Sequence, residues 1–177
     1  MKHRSGKWIW ILDKGKVISR TVDGKPLLMF GIHMDITSQK ETFFKVEESE
    51  KRYHTIMNNA ADEIFIHDFS DNIIDINEKS CQMLQYSREE LLRMKVSDID
   101  KMANDKNHDE RLEKIKNGAQ IVLESSLIRK DGTLIPVEIH LSLIKLDQVN
   151  YVLAIARDIT ERKLYETALR ESEERLK

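Results

Sequence analysis

Five acids crowd one short stretch of the chain, Asp62, Glu63, Asp68, Asp71 and Asp75, and paired carboxylates are the raw material of general acid and base catalysis. Their setting argues for a blander role. They border two short apolar segments at turn positions, where Asp is favoured because its side chain bonds to nearby backbone, so they are read as solvated turn residues. Cys81 is the single cysteine. It has no internal disulfide partner, and a reducing, cytoplasmic setting is expected. His3, His33, His54, His67 and His140 show no metal-ligand spacing and are read as surface or edge residues. There is no Gly-rich phosphate loop, no paired Cys or His metal motif and no nucleophile elbow. The segment is therefore not expected to be an enzyme.

Composition narrows the class further. Charged residues make up 34% of the 177, yet 29 Lys and Arg nearly cancel 31 Asp and Glu, for a net charge of -2. That balance argues against a nucleic-acid partner and against a polybasic membrane patch. No apolar run approaches the ~18 residues of a membrane span, and charges spread through residues 1–7 leave no signal-peptide core.

The elements that would position these residues can be read from periodicity. Residues 7–18 and 27–36 are apolar segments around the turn Asp23-Gly24-Lys25-Pro26, a two-strand piece carrying Trp8 and Trp10. An isolated hairpin is marginal in water, so its apolar face must cover something. Residues 38–60 lose Gly and Pro, and Thr42, Val46, Ser49, Tyr53 and Ile56 recur at the 4-3-4-3 spacing of a coiled-coil seam. After Thr160 the phase returns with Tyr165, Leu169, Ser172 and Leu176. Either a weak seam or a solvated helix packed on its own domain satisfies this pattern. Between the helices, strands are expected at 63–69 and 73–76, then short helices capped by Asn77, by Ser87 in a Ser-x-x-Glu box, and by Asp105 or Asn107, the last ended by Gly118. Strands at 121–130, 134–146 and 151–159 follow, with Val137, Ile139, Leu141 and Leu143 on one face of the second and Glu138, His140 and Ser142 on the other. The fold class is α+β, an antiparallel sheet with helices gathered on one side.

A repeat organises these elements. Residues 35–54 and 158–177, a constant shift of 123, share Asp-Ile-Thr, Lys40/Lys163, Glu48-Ser49-Glu50 with Glu171-Ser172-Glu173, and Arg52/Arg175, eight identities in twenty. The period far exceeds the ~20–50 residues of a solenoid repeat, so the repeating unit is a domain. The expected division is 1–37 as the closing strands of a preceding domain, 38–60 as a connector helix, 61–160 as a complete domain and 161–177 as a second connector.

The strings Asn77-Glu-Lys-Ser-Cys-Gln-Met-Leu-Gln-Tyr86-Ser-Arg-Glu-Glu-Leu-Leu92, Arg129-Lys-Asp-Gly-Thr133 and Arg157-Asp-Ile-Thr-Glu-Arg-Lys163 together resemble a PAS sensory domain with its PAC-type C-terminal motif, as found in tandem in bacterial and archaeal signalling proteins such as sensor histidine kinases. The resemblance covers about residues 48–163. Trp8 to Asp13, Asp23 to Pro26 and Gly31 to Thr37 resemble the last strands of another such domain. Gln85 departs from the pattern, standing where the family usually has Gly before Tyr86, so a different turn is expected there.

The resemblance implies a five-stranded antiparallel sheet flanked by small helices, with a cavity between them. Candidate cavity residues are Ile66, Cys81, Leu84, His108, Ile115, Leu127, Leu141 and Ile155. Cys81-Gln-Met-Leu-Gln85 partly matches the Cys-Arg-Phe-Leu-Gln string of the flavin photoreceptors, but that string belongs to a later helix, so Cys81 is read as a small core residue. His108-Asp109 is similar to the haem-ligating His-Asp of oxygen-sensing relatives. Leu123 and Arg111 replace the arginine and aromatic expected around such a haem, so His108 is read as a capping-region surface residue. No cofactor is therefore assigned. Asp158, Ile159 and Thr160 are expected to transmit signals, Asp158 capping the following helix with Glu161 completing a box. Two functions stay open. One is a relay module, its cavity filled by Met83, Met94 and Leu127, that works as a homodimer through its connector helices beside a neighbouring PAS or output domain. The other is a haem, flavin or small-molecule sensor. His54 lacks the acidic neighbour of a kinase phosphoacceptor, so any kinase activity is expected outside the segment.

Overall fold

The computed structural model describes residues 1–175. Two compact units are present, Met1–Tyr53 and a second that begins at His54. In the first, β1 (Ile11–Arg20) and β2 (Pro26–Asp35) form an antiparallel hairpin with Ile11 opposite Asp35. β1 begins at Ile11, later than the expected strand, because Trp8 bridges back to Lys2. Every residue of β2 is exposed. Gly31 is required in this hairpin, since a Cβ there would lie 2.9 Å from the Lys14 carbonyl oxygen. Helix α1 (Thr37–Asn58) follows, and Trp10 packs at 6.4 Å from Phe44 on it.

The second unit takes the last turn of α1, then β3 (Glu63–His67), β4 (Ile73–Ile76), α2 (Glu78–Leu84), α3 (Arg88–Leu91), α4 (Val96–Ile99), a 3-10 turn at Lys101–Asn104, α5 (His108–Lys116), β5 (Ile121–Ile128), β6 (Leu134–Leu146), β7 (Val149–Asp158) and α6 (Thr160–Arg175). The five strands form an antiparallel sheet in the order β4-β3-β7-β6-β5. The seam position Leu176 lies outside the described residues. Among the described residues no helix is long and apolar enough to cross a membrane.

Local chemistry explains where the small elements begin. Ser87 accepts from the Glu90 amide at 3.2 Å and Glu90 Oε2 accepts from the Ser87 amide at 2.9 Å, the reciprocal box its spacing predicts. Asn107 precedes α5 without a side-chain cap bond, and Asp105 instead accepts from the Asn107 amide at 2.8 Å. Gln85 keeps the left-handed turn that Gly would supply, at φ 62 and ψ 27, with its amide bonded to the Cys81 carbonyl. The departure from Gly thus leaves the turn unchanged and adds backbone strain.

Asn77 ties three elements together. Its Oδ1 accepts from the amides of Ile64 (3.1 Å) and Ser80 (3.0 Å) and from the Ser80 hydroxyl (2.7 Å), while Nδ2 donates to the carbonyls of Met57 (3.1 Å) and Asp62 (3.0 Å). The side chain is fully buried, so all of these partners depend on it rather than on water.

Two stability changes follow. Asn77→Ala removes a cap and strands several buried backbone groups, and chemical denaturation should show a loss of about 3 kcal/mol or more. Gln85→Gly relieves left-handed strain but gains unfolded-state freedom, and the same measurement should show a net gain of about 0.5–1 kcal/mol.

Candidate functional site

Between the inner sheet face and the helical layer lies a cavity of about 50 Å³. Its sheet wall comes from Phe65 and His67 on β3, Ala154 and Ala156 on β7, Ile139 and Leu141 on β6, and Leu123 and Leu127 on β5. Its other wall comes from Val96 and Ile99, from Asp100, Met102 and Ala103, and from His108, Arg111 and Leu112. The space exists because the central strand presents alanine twice to this face, where a larger residue would reach the helices.

Of the cavity residues expected from the sequence, His108, Leu127 and Leu141 line it. Ile155 does not. Register pairs it with Ile64 and His140, whereas Ala154 pairs with Phe65 and Leu141, so Ile155 occupies the opposite face. Ile66 is buried on that opposite face too, paired with Leu153. Cys81 and Leu84 join the apolar core through α2, and Ile115 is buried on α5, all three outside the cavity lining. Met83 and Met94 also pack in the core, apart from the cavity that they were expected to fill.

The polar end of the cavity overturns the surface reading of two histidines. His67 is 2% exposed. Its Nδ1 donates to the Asp68 carbonyl at 3.0 Å and stands 3.8 Å from Asp71 Oδ1. His108 Nε2 meets both Asp71 oxygens, at 2.8 and 3.1 Å. Asp71 therefore joins the β3–β4 turn to the start of α5, and its carbonyl accepts from the Val96 amide at 2.9 Å, adding the start of α4. The left-handed backbone at Asp71, φ 65, places this residue where it can reach all three.

The acidic stretch is likewise more committed than solvated turns would be. Asp68 does act locally, accepting from the Ser70 and Asn72 amides. Asp62 forms a two-pronged pair with Arg157 at 2.9 and 2.7 Å, which holds its carboxyl below the ordinary range. Asp75 pairs with Arg88, and Glu63 is buried, which pushes its carboxyl upward. Among the described residues, no group of three His, Cys, Asp or Glu is placed to hold a metal ion.

Asp100 escaped notice in the sequence. Its Oδ1 accepts from the Met102 amide at 2.9 Å and from the Ser125 hydroxyl. Burial pushes its carboxyl above the ordinary range, against the opposing pull of Ser125, Met102, Arg111 and His108. Burial holds the His67 imidazole below its ordinary value. Arg111 is occupied by Asp105 at 2.9 and 3.0 Å and by the Met102 carbonyl.

Neither haem nor flavin suits this arrangement. Pockets for drug-sized ligands run ~300–1,000 Å³, and the His108 nitrogen that would face a metal is bonded to Asp71. Cys81 stands outside the lining.

The two buried groups give opposite pH signatures. His67, with its folded value depressed, contributes stability above its ordinary 6.5, and that contribution is lost as pH falls through the folded value. Asp100, with its folded value raised above 3.8, contributes below that ordinary value and becomes a liability as pH rises through the folded value. Melting curves from pH 4 to 8 should show that His67→Gln flattens the acid limb, and that Asp100→Asn raises Tm at pH 7 more than at pH 4.

Comparison with known proteins agrees with this architecture. The PAS domain family model matches residues 61–161. The methyl sulfide methyltransferase-associated sensor of Methanosarcina acetivorans is 35% identical over 133 residues, 74% of this chain but 13% of that protein. Sporulation kinase E of Bacillus subtilis is 26% identical over 98% of the chain and 22% of its own length. The chain thus spans less than a quarter of either relative. Among solved structures, the PAS domain of an HTR-like protein from Haloarcula marismortui matches with TM-score 0.63 and 28% identity over 68% of this chain and 99% of that one. A PAS domain from a two-component sensor histidine kinase matches with TM-score 0.55 and 26% identity over 64% and 98%. With its five-stranded antiparallel sheet, flanking helices and matched family pattern over 61–161, the chain belongs to the PAS domain family of sensory modules.

Proposed function

We propose that this segment relays signals within a longer sensor protein, converting a change in packing around the cavity into a change in the helix that leaves the domain. The observation that carries this reading is the junction of β7 with α6. Asp158 Oδ1 accepts from the Thr160 amide at 2.7 Å, an interaction two residues along the chain. Ile159, 4% exposed, donates its amide to the Pro136 carbonyl at 3.0 Å. One turn later Arg162 reaches Glu124 and, at 3.3 Å, Glu138, while Lys163 also reaches Glu124. Glu124 and Glu138 stand directly opposite each other on β5 and β6, a like-charge pairing that costs stability unless neutralised. The first turn of α6 supplies the neutralising charges, so the strands and the helix settle together.

The same bonds recur in the first unit, where Asp35 Oδ1 accepts from the Thr37 amide at 2.8 Å and Ile36 donates to the Trp10 carbonyl at 2.9 Å. This supports reading the hairpin as the closing strands of a preceding PAS domain, with α1 as its connector and a neighbouring or output domain beyond α6. Val46, Ile56, Tyr165 and Leu169 are exposed along the two helices at seam spacing, which supports pairing with a second copy through them. The names of the relatives, a sensor and a kinase, fit a parent of that kind. Membrane or nucleic-acid contact forms no part of the proposal.

Removing the clamp tests the relay. Arg162→Ala should leave the protection of β3 and β7 amides unchanged in hydrogen exchange while the first two turns of α6 exchange severalfold faster, as loss of the exposed ion pairs to Glu124 and Glu138 implies. Unaltered exchange in α6 would remove the junction from the mechanism.

A further inference from the structure

The polar groups on the cavity wall are almost entirely consumed by one another, and what is left over defines a ligand. Arg111 is held by Asp105 and the Met102 carbonyl, and His108 Nε2 by Asp71. His67 and Asp100 are each more than nine-tenths buried and each retains one polar atom. Because a carbonyl only accepts, His67 Nδ1 must carry the proton it donates to Asp68. In the neutral ring, which burial favours, Nε2 then holds a bare lone pair, and no hydrogen bond among the described residues falls on it. Both side-chain bonds of Asp100 fall on Oδ1, leaving Oδ2, which carries a donatable proton when the carboxyl is neutral.

The remaining wall is aliphatic or aromatic, with Phe65, Leu112, Leu123, Leu127, Ile139 and Leu141 prominent. A space of about 50 Å³ accommodates roughly four or five water-sized centres. An anion there would meet the bare lone pair of His67 Nε2 with no free cation to offset it, since Arg111 is occupied. A cation would find the Asp71 carboxylate occupied by His108 and the Asp100 carboxyl pushed by burial toward its neutral form.

We propose that this cavity binds a small neutral alcohol, with an apolar body of about four carbons and one hydroxyl that donates to His67 Nε2 and accepts from Asp100 Oδ2. The proposal rests on the sensor reading of the chain and adds the chemical class of the signal. Small size caps affinity, because even the most efficient tiny ligands gain limited energy per atom, so dissociation constants no tighter than ~10 µM are expected. Such a ligand exchanges rapidly, as suits a module reporting a changing concentration.

The decisive comparison uses two isomers, butan-1-ol and methyl propyl ether, alongside sodium butyrate and butylammonium chloride. Each is titrated to tens of millimolar into the whole chain with methyl-labelled Ile, Leu and Val, observed by NMR. Butan-1-ol should shift the methyls of Leu123, Leu127, Ile139 and Leu141 saturably, about fivefold more tightly than the ether, which lacks the hydroxyl proton. The two ions should leave those methyls unmoved. His67→Phe should abolish the preference for alcohol over ether. Should that variant fail to fold, the wild-type ratio decides alone. Equal binding of the isomers, tighter binding of either ion, or no saturable shift with butan-1-ol each overturns the assignment. None of these outcomes bears on the α6 clamp, whose exchange is measured without ligand, so the alcohol proposal and the relay reading fail separately.

Discussion

The complete domain hangs on one buried amide. Asn77 accepts on one side and donates on the other, and only Gln, one methylene longer, offers the same two donors and two lone pairs. Through it the end of α1, the start of β3 and the first turn of α2 share a single set of bonds. The backbone groups it satisfies lie where the chain stops being helix and has not yet become sheet, the places in a fold most exposed to unpaired polar atoms. With that knot closed, β3 has a fixed starting point. Its pairing with β7 follows, and the register of the whole sheet follows from β7, its central strand.

Register decides what the cavity is. The central strand alternates Val152, Ala154 and Ala156 inward with Leu153 and Ile155 outward, which puts small residues beneath the helices. A slip of one residue would present Leu153 and Ile155 instead and fill the space. The polar wall is equally dependent on placement. His67 comes inward only because it shares a face with Phe65, and Asp71 reaches His108 across 37 positions of sequence only because the β3–β4 turn adopts a left-handed bend. Cavity and polar wall are consequences of backbone geometry more than of any unusual side chain.

Much of this architecture was legible in residues whose signals are local. Ser87 and Glu90, the alternation along β6, and the Asp158 to Thr160 spacing each state their structure within a few positions, since capping and pleating are short-range effects. The errors fell where tertiary context decides. Ile155 was placed inward, but the run Val152-Leu153-Ala154-Ile155-Ala156 is apolar at every position and gives no alternation to read. Ile66 misled for the same reason. His67 looked like an edge residue because its burial comes from segments distant in sequence, and Asp100 carries no local signal because its partner, Ser125, lies 25 residues on. A clue was available at His67, the fourth in a run with three apolar neighbours, Ile64, Phe65 and Ile66, which is unusual company for a solvated imidazole.

The placement of β3 beside β7 has a further consequence for architecture. The strand by which the chain comes into the domain and the strand by which it leaves are neighbours at the middle of the sheet, and Asp62 and Arg157 fasten one to the other at that end. A domain wired this way can be inserted into a helix as a bead is threaded on a string, because its two ends already lie together. Gene duplication could then lengthen such a protein by whole sensors, each new copy needing only a helix before it and a helix after it.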